Sequence, residues 1–217
     1  MVIAIENHLI AFVPVPKAAC TSVKSALTRV DASLPGAVKF KVRRDADLVH
    51  RYYQTSRFRG KRMAGKEDWY RFTVVRDPVR RLLSVYTDRV VARNELASSA
   101  NLRRGRVDLP MDPDPDFFFR NLDSYREYVS VIRHHARRQS YFTGTDIGLY
   151  DRVYTTSEID QLAADLSEIT GEEVEISRLN VSSSGLTLED LSPDARAVVE
   201  QAAADDYKTF SSVFKAA

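Results

Sequence analysis

The sequence predicts an α/β fold in a single domain, residues 1–217, with a central, mostly parallel β-sheet flanked by helices. Two apolar runs, residues 9–13 and 72–75, have the length and composition of buried strands. Each is followed at once by a helix start, after Pro16-Lys17 in one case and at Asp77-Pro78 in the other. A chain of 217 residues with 44% hydrophobic content is long enough for one well-buried core.

Taken in order, residues 2–5 and 9–13 read as a β-hairpin around Glu6-Asn7-His8. Pro14 and Pro16 stop the second strand, and an amphipathic helix runs from about Cys20 to Val30. Alternation predicts a strand over 38–42, and Leu48, Tyr52 and Thr55 predict one face of a helix over 47–58. Residues 57–66 are basic, with Gly60 and Gly65, and read as a loop. The strand at 72–75 leads into a long helix from Pro78 to Ala97, N-capped by Asp77. Residues 98–116 break the pattern with Gly105 and three prolines, and read as either an acceptor-binding lid or a plain surface loop. A helix over 117–139 carries an aromatic run, Phe117 to Phe119, that belongs in a core. A strand at 153–155 and a helix started by Ser157 and Asp160 and ended by Gly171 follow. A strand at 174–176 and a last helix from Ser192-Pro193 through Ala204 complete the chain, with Phe210 and Phe214 anchoring the tail.

Bulk properties narrow the function. The single cysteine, Cys20, excludes an internal disulfide framework and points to a reducing compartment. No apolar run of about 18 residues is present, so no transmembrane helix is expected. The first twelve residues lack a charged n-region and a small-residue cleavage site, so no signal peptide is expected. Net charge is only +2, but residues 39–81 are rich in Lys and Arg while acids outnumber bases after Asp151. A basic half suits nucleic acid, an anionic donor or an acidic polysaccharide, or is simply a solvated face. No helix-turn-helix, zinc ligand set or RNA-binding aromatic motif supports nucleic acid.

The chemistry concentrates in two stretches. In the first, AFVPVPKAACTSVKSAL, a strand, a tight loop and a helix start present backbone N–H groups to an anion. Lys17 adds a mobile positive charge, and Thr21 and Ser22 add hydroxyl donors. This is not the glycine-rich loop of nucleoside-triphosphate enzymes, because Lys17 comes first and no glycine is present. The bland alternative is an ordinary strand-to-helix turn capped by Thr21 or Ser22. Cys20 is either a small buried residue under the loop or a nucleophile. In the second stretch, FTVVRDPVRRLLSVY, Arg76 stands at the carboxyl end of a strand, where open α/β sheets place ligand contacts. Ser84 follows eight residues later.

Together the two stretches resemble the sulfotransferases that use 3′-phosphoadenosine 5′-phosphosulfate, and within them the carbohydrate branch that includes the chondroitin and HNK-1 enzymes. Pro16-Lys17-Ala18-Ala19-Cys20-Thr21-Ser22-Val23-Lys24 is similar to that branch's P-K-x-x-C-T-[NS]-x-K. Residues 72–86 match F-x-x-V-R-[DE]-P-x-x-R-L-x-S-x-Y throughout. His135 to Gln139, followed by Tyr150-Asp151, is similar to the branch's H-W-x-P-Q…Y-D and departs from it at Ala136 and Arg138.

The resemblance implies a P-loop-like sulfotransferase fold and the following roles. Lys17, the N–H groups of Ala19, Cys20, Thr21 and Ser22, and the Thr21 hydroxyl hold the 5′-phosphosulfate. Arg76 and Ser84 hold the 3′-phosphate. The polar loop at 179–185 resembles the family's late loop over the nucleotide and offers Asn180 and Ser182. No metal is implied, and the acceptor is a carbohydrate or glycolipid hydroxyl. The absence of an N-terminal anchor, which animal relatives carry, points to a cytoplasmic, bacterial enzyme with at most peripheral membrane contact.

An acceptor hydroxyl must lose a proton as it attacks sulfur, and His is the side chain best matched to that task at neutral pH. Of the four histidines, His50 lies in the interval between the motifs, where several sulfotransferase branches place their base, and His135 belongs to the third motif. Glu67 or Asp68 is the carboxylate alternative. Two other classes fit less of the sequence: a phosphoryl-transfer, kinase-like enzyme with a variant phosphate loop, and a non-catalytic anion-binding module.

Overall fold

The computed structural model of the chain describes residues 2–177 and 185–214. Four strands are present: β1 (Ile3–Ile5), β2 (Ile10–Val13), β3 (Tyr70–Val75) and β4 (Arg152–Thr155). The helices in chain order are α1 (Cys20–Val30), α2 (Gly36–Arg44), α3 (Val49–Tyr52), α4 (Pro78–Val85), α5 (Ala100–Arg103) and α6 (Pro115–Arg120). They continue with α7 (Leu122–Tyr128), α8 (Ser130–His135), α9 (Ser140–Thr143), α10 (Ile159–Thr170) and α11 (Pro193–Thr209). The chain divides into two compact units, Met1–Arg76 with Gln139–Val181 and Asp77–Arg138 with Ser182–Ala217.

The first unit holds the whole sheet, in the order β1-β2-β3-β4. β1 and β2 form the expected hairpin, with Ile3 opposite Phe12. β2, β3 and β4 run parallel, with Phe12 beside Phe72 and Phe72 beside Arg152. This is the α/β architecture that the strand and helix pattern predicts. β2 is buried along its entire length, as a central strand covered on both faces must be. Phe12 stacks on Phe72 at 4.9 Å, and Tyr154 meets Phe72 edge-on at 6.0 Å. Val23, Leu27 and Val30 of α1 and Leu162 and Leu166 of α10 complete that core.

Four expectations in this unit give way. Residues 38–42 are helical, inside α2, and not a strand. Val38 and Val42 are also one helical turn apart, and of the alternating set only Val42 is buried. Phe40 is 51% exposed, with the guanidinium groups of Arg43 and Arg44 near its ring. The helix expected over 47–58 shrinks to a 3-10 turn, Ala46–Leu48, and the single turn of α3. It ends at Tyr53, whose backbone leaves the helical region while its buried hydroxyl donates to the Asp31 carboxylate. Val174 and Ile176 are buried but belong to no strand, the Val174 N–H going instead to Ser167 Oγ at 2.9 Å. Helix α10 starts at Ile159 behind Glu158 and ends at left-handed Gly171. Ser157 does not cap it, because its hydroxyl bonds Thr155 Oγ1.

The described part of the second unit is helical. α4 begins as expected, with Asp77 accepting the Arg80 N–H at 2.8 Å and Pro78 in the first turn. The expected long helix does not run on to Ala97. It passes into a π-helical stretch, Tyr86–Ala92, marked by Arg93 N–H to Asp88 C=O, and ends before left-handed Asn94. The helix expected over 117–139 is three short helices, α6, α7 and α8, broken at Asn121 and Val129. Asn121 Nδ2 bonds the Phe117 carbonyl at 2.9 Å, the local competition that makes asparagine a poor interior helix residue. Residues 98–116 hold only α5 and part of a 3-10 turn before α6 begins. α11 runs past Ala204 to Thr209, and Phe118, Phe119, Tyr125, Val199 and Ala203 share this unit's core.

Candidate active site

β2 delivers the chain into a loop of buried Pro14, Val15 and Pro16. Ala18 is fully buried and packs with Val15 and Phe142. Lys17 and Ala19, on either side of it, have positive φ angles of 67° and 54°. Left-handed backbone at a residue with a Cβ costs on the order of 1 kcal/mol, and such strain gathers at ligand-holding loops. The loop turns α1 so that it begins at Cys20 behind Ala19, whose side chain supplies no cap. Neither Thr21 nor Ser22 is the N-cap, as the turn-only reading of the motif would require. The Ala19 carbonyl accepts the Val23 N–H at 3.0 Å. The amides of Cys20, Thr21 and Ser22 have no carbonyl of their own helix to bond. An eleven-residue helix therefore opens on N–H groups and the positive end of its dipole, which suits an anion.

Arg76 reaches the same place through the sheet. β3 lies parallel to β2 with Thr73 beside Val13, and Thr73 Oγ1 donates to the Val13 carbonyl at 2.8 Å. The carboxyl ends of the two strands are neighbours, so Arg76, the residue that follows β3, meets the loop that follows β2. Its Nη1 is 3.5 Å from the Lys17 carbonyl oxygen. Gln139 clasps the Arg76 backbone from both sides: Oε1 accepts the Arg76 N–H at 3.0 Å, and Nε2 donates to the Arg76 C=O at 2.8 Å. Gln139 is fully buried. The rest of the third motif braces the same unit. Tyr150 donates to the Thr143 carbonyl at 2.6 Å, and Asp151 pairs with Arg71 of β3.

His50, at the start of α3, is joined to the helix that carries the loop. Its Nε2 is 3.0 Å from Thr21 Oγ1 and its Nδ1 is 3.2 Å from Lys24 Nζ. Lys24 Nζ also donates to Thr55 Oγ1 at 2.6 Å. Lys24 is fully buried, and burial pushes its pKa below the ordinary lysine value. Cys20, one turn before it, pulls the other way.

The first unit thus brings together Lys17, Ala19, Cys20, Thr21, Ser22, Arg76 and His50. Cys20 is a free, buried thiol in the first turn of α1, as the small-residue reading expects. Ser22 is buried. Glu67 is exposed, and its carboxylate accepts the Gly65 N–H at 3.1 Å. Backbone hydrogen bonds hold its pKa below the usual carboxyl range, which weakens it as a base. Asp68 is exposed.

Ser84 and His135 belong to the second unit. Ser84 is buried on α4, its hydroxyl donating to the Arg81 carbonyl at 2.7 Å. His135 closes α8, and its carbonyl accepts from Arg81 Nη1 at 2.8 Å. Asn180 and Ser182 lie outside the described residues. Lys24, Gln139 and Thr55 join the site without having been singled out. Lys24 and Gln139 stand inside the quoted motifs, whereas nothing marks Thr55.

Among the described residues no group of three or more His, Cys, Asp or Glu is arranged to hold a metal ion, and no helix is long and apolar enough to cross a membrane. The sheet, the amides at the start of α1 and the strand-end arginine stand where open α/β folds place ligand contacts. The sulfotransferase family model matches residues 1–210, and the chain belongs to that family. It is a sulfotransferase, an enzyme of sulfonyl transfer. No curated protein and no solved structure matches it.

Proposed function

We propose that the enzyme moves a sulfonate group from 3′-phosphoadenosine 5′-phosphosulfate to a hydroxyl of a carbohydrate or glycolipid. The observation that supports the donor assignment is the approach of Arg76 to the Lys17 loop at adjacent strand ends, which we read as two anion grips. Lys17 and the amides at the start of α1 form one, and Arg76 within 3.5 Å of the Lys17 carbonyl forms the other. A donor with a 5′-phosphosulfate and a separate 3′-phosphate uses both. Lys17 and the amides take the 5′ end, and Lys17 follows the charge that builds on the bridging oxygen as its bond to sulfur breaks. Arg76 takes the 3′-phosphate with its planar fork of donors. The acceptor oxygen forms the new bond to sulfur, its proton leaves, and 3′-phosphoadenosine 5′-phosphate departs. The acceptor class rests on the likeness of residues 16–24 and 72–86 to the carbohydrate branch.

Calorimetry with 3′-phosphoadenosine 5′-phosphate, ATP and adenosine 5′-phosphosulfate tests the donor. The 3′-phosphorylated nucleotide is expected to bind best, and Arg76→Ala to weaken it about 10- to 100-fold, the worth of a charged hydrogen bond. Ser84→Ala tests the contact that the resemblance gives to Ser84. Lys17→Ala is expected to cut kcat about 100-fold or more. Preference for ATP, or binding untouched by Arg76→Ala, would return the assignment to phosphoryl transfer or to another site.

A further inference from the structure

We infer that Lys24 is a positioning residue acting through His50: it fixes which ring nitrogen faces Thr21, and so aims the Thr21 hydroxyl at the anion. The inference rests on Thr21 being a ligand-binding hydroxyl of the α1 loop. Lys24 is fully buried, and its Nζ stands 3.2 Å from Nδ1 of the exposed His50 and 2.6 Å from Oγ1 of the half-buried Thr55, all in the first unit. An ammonium group has three donors and no acceptor. Beside it, Nδ1 of the imidazole serves as the acceptor, and the ring hydrogen sits on Nε2. Nε2 is 3.0 Å from Thr21 Oγ1, so Nε2–H donates to that oxygen. Thr21 has one hydroxyl hydrogen of its own. With its oxygen receiving the Nε2–H, that hydrogen is directed away from the ring and is left to donate to a ligand.

In this state His50 shows Thr21 an N–H, not a lone pair. It is a donor in the relay from Lys24 to Thr21, and taking a proton at Nε2 would require the ring to change tautomer first. The positive charge of Lys24 also opposes formation of an imidazolium next to it. Thr55 holds Lys24 from the other side, so rotation of the lysine away from the ring costs a second hydrogen bond. Cys20, on the same face of α1 one turn earlier, is the titratable group whose interaction with Lys24 favours the lysine's charge.

The test is the tautomer of His50 in the ligand-free protein, read from ring ¹⁵N shifts at neutral pH and assigned by loss of the signal in His50→Gln. The expected result is a bare Nδ1 and a protonated Nε2. A bare Nε2 overturns the inference without any variant of Lys24. In Lys24→Met, which keeps the length and loses the donor, both tautomers are expected and the ring protonates at higher pH. An unchanged tautomer there overturns the role of Lys24. If Lys24→Met does not fold, Lys24→Gln decides, since it keeps a donor but no charge. The tautomer is then retained, protonation moves to higher pH, and an unchanged titration counts against the inference. The nucleotide calorimetry is independent of these outcomes, so failure of the donor assignment and failure of the relay are told apart.

Discussion

Two buried cations, one in each unit, show opposite uses of the same expensive feature. Lys24 on α1 is fully buried, and its hydrogen bonds run to the side chains of His50 and Thr55. Arg81 on α4 is 1% exposed, and its fork is held by backbone: Nη1 donates to the His135 carbonyl at 2.8 Å and Nη2 to the Arg137 carbonyl. The buried carboxylate of Asp206 lies 3.9 Å from Nη2. Carbonyls at the end of α8 cannot move without moving the helix, so Arg81 ties α4, α8 and α11 of its unit into one arrangement. Side-chain partners such as an imidazole and a hydroxyl can exchange protons and rotate. The first cation is therefore the one we assign to the chemistry, and the second holds the fold.

The largest expected effect tests that division directly. Arg81→Met removes the cation that faces a buried carboxylate and strips two carbonyls of their donor, so unfolding free energy should fall by about 3–5 kcal/mol. Lys24→Met removes a buried charge together with its desolvation cost and should lower stability by no more than about 1 kcal/mol. Urea titration of both variants beside the wild type gives the comparison. Equal losses would erase the distinction between the two cations.

Gln139 sharpens the comparison because it combines the two uses. It is an uncharged, fully buried amide that holds backbone, as Arg81 does, but the backbone it holds belongs to Arg76. Gln139→Leu leaves one N–H and one C=O of Arg76 without their partner, at about 1–3 kcal/mol of stability in total. It should also weaken binding of 3′-phosphoadenosine 5′-phosphate, since the guanidinium is aimed by that backbone. Denaturation and calorimetry on the same variant separate the two effects. Loss of stability with unchanged binding would make Gln139 a fold residue alone.

What could be read from the sequence follows from where each feature is encoded. The strands were legible because burial on both faces demands continuous apolar runs, and 9–13 and 72–75 are such runs. The start of α4 was legible because Asp77-Pro78 is a cap whose chemistry is local. Residues 38–42 were misread because two valines four apart and a phenylalanine between them satisfy both a strand and a helix, and burial decides between these. The long helices expected over 78–97 and 117–139 kept their apolar periodicity but not their continuity. Asn94, Asn121 and Val129 interrupt them, and no strong breaker such as Pro or Gly stands at those positions to announce it. In the candidate site, motif spacing singled out the α1 loop and Arg76, which the fold makes neighbours. The contacts of Lys24 and Gln139 depend on what lies across the fold from them, His50 and Arg76, and spacing along the chain carries no such information.

The smallest expected effect concerns an ion pair at the other end of the scale from the buried cations. Asp151 and Arg71 join the start of β4 to β3 with two side-chain hydrogen bonds, at 3.1 and 3.0 Å, and the Arg71 N–H adds a third at 2.7 Å. The pairing with Arg71 holds the Asp151 carboxyl below its ordinary value of 3.8. A carboxyl whose pKa is depressed by folding adds stability above its unfolded pKa, and that stability disappears as pH falls through the folded value. The pair is partly exposed, 39% for Asp151 and 22% for Arg71, so solvent screens it to about 0.2–1 kcal/mol at neutral pH. Asp151→Asn should therefore be slightly less stable than the wild type at about pH 7, with the gap narrowing toward about pH 3 as the wild-type carboxylate is protonated. Urea midpoints at the two pH values measure it. A gap that ignores pH would mean that Asp151 serves through its hydrogen-bond geometry alone. Its partly exposed charge would then join the fold-type contacts of Arg81, and exposure would cease to predict how a polar group responds to acid.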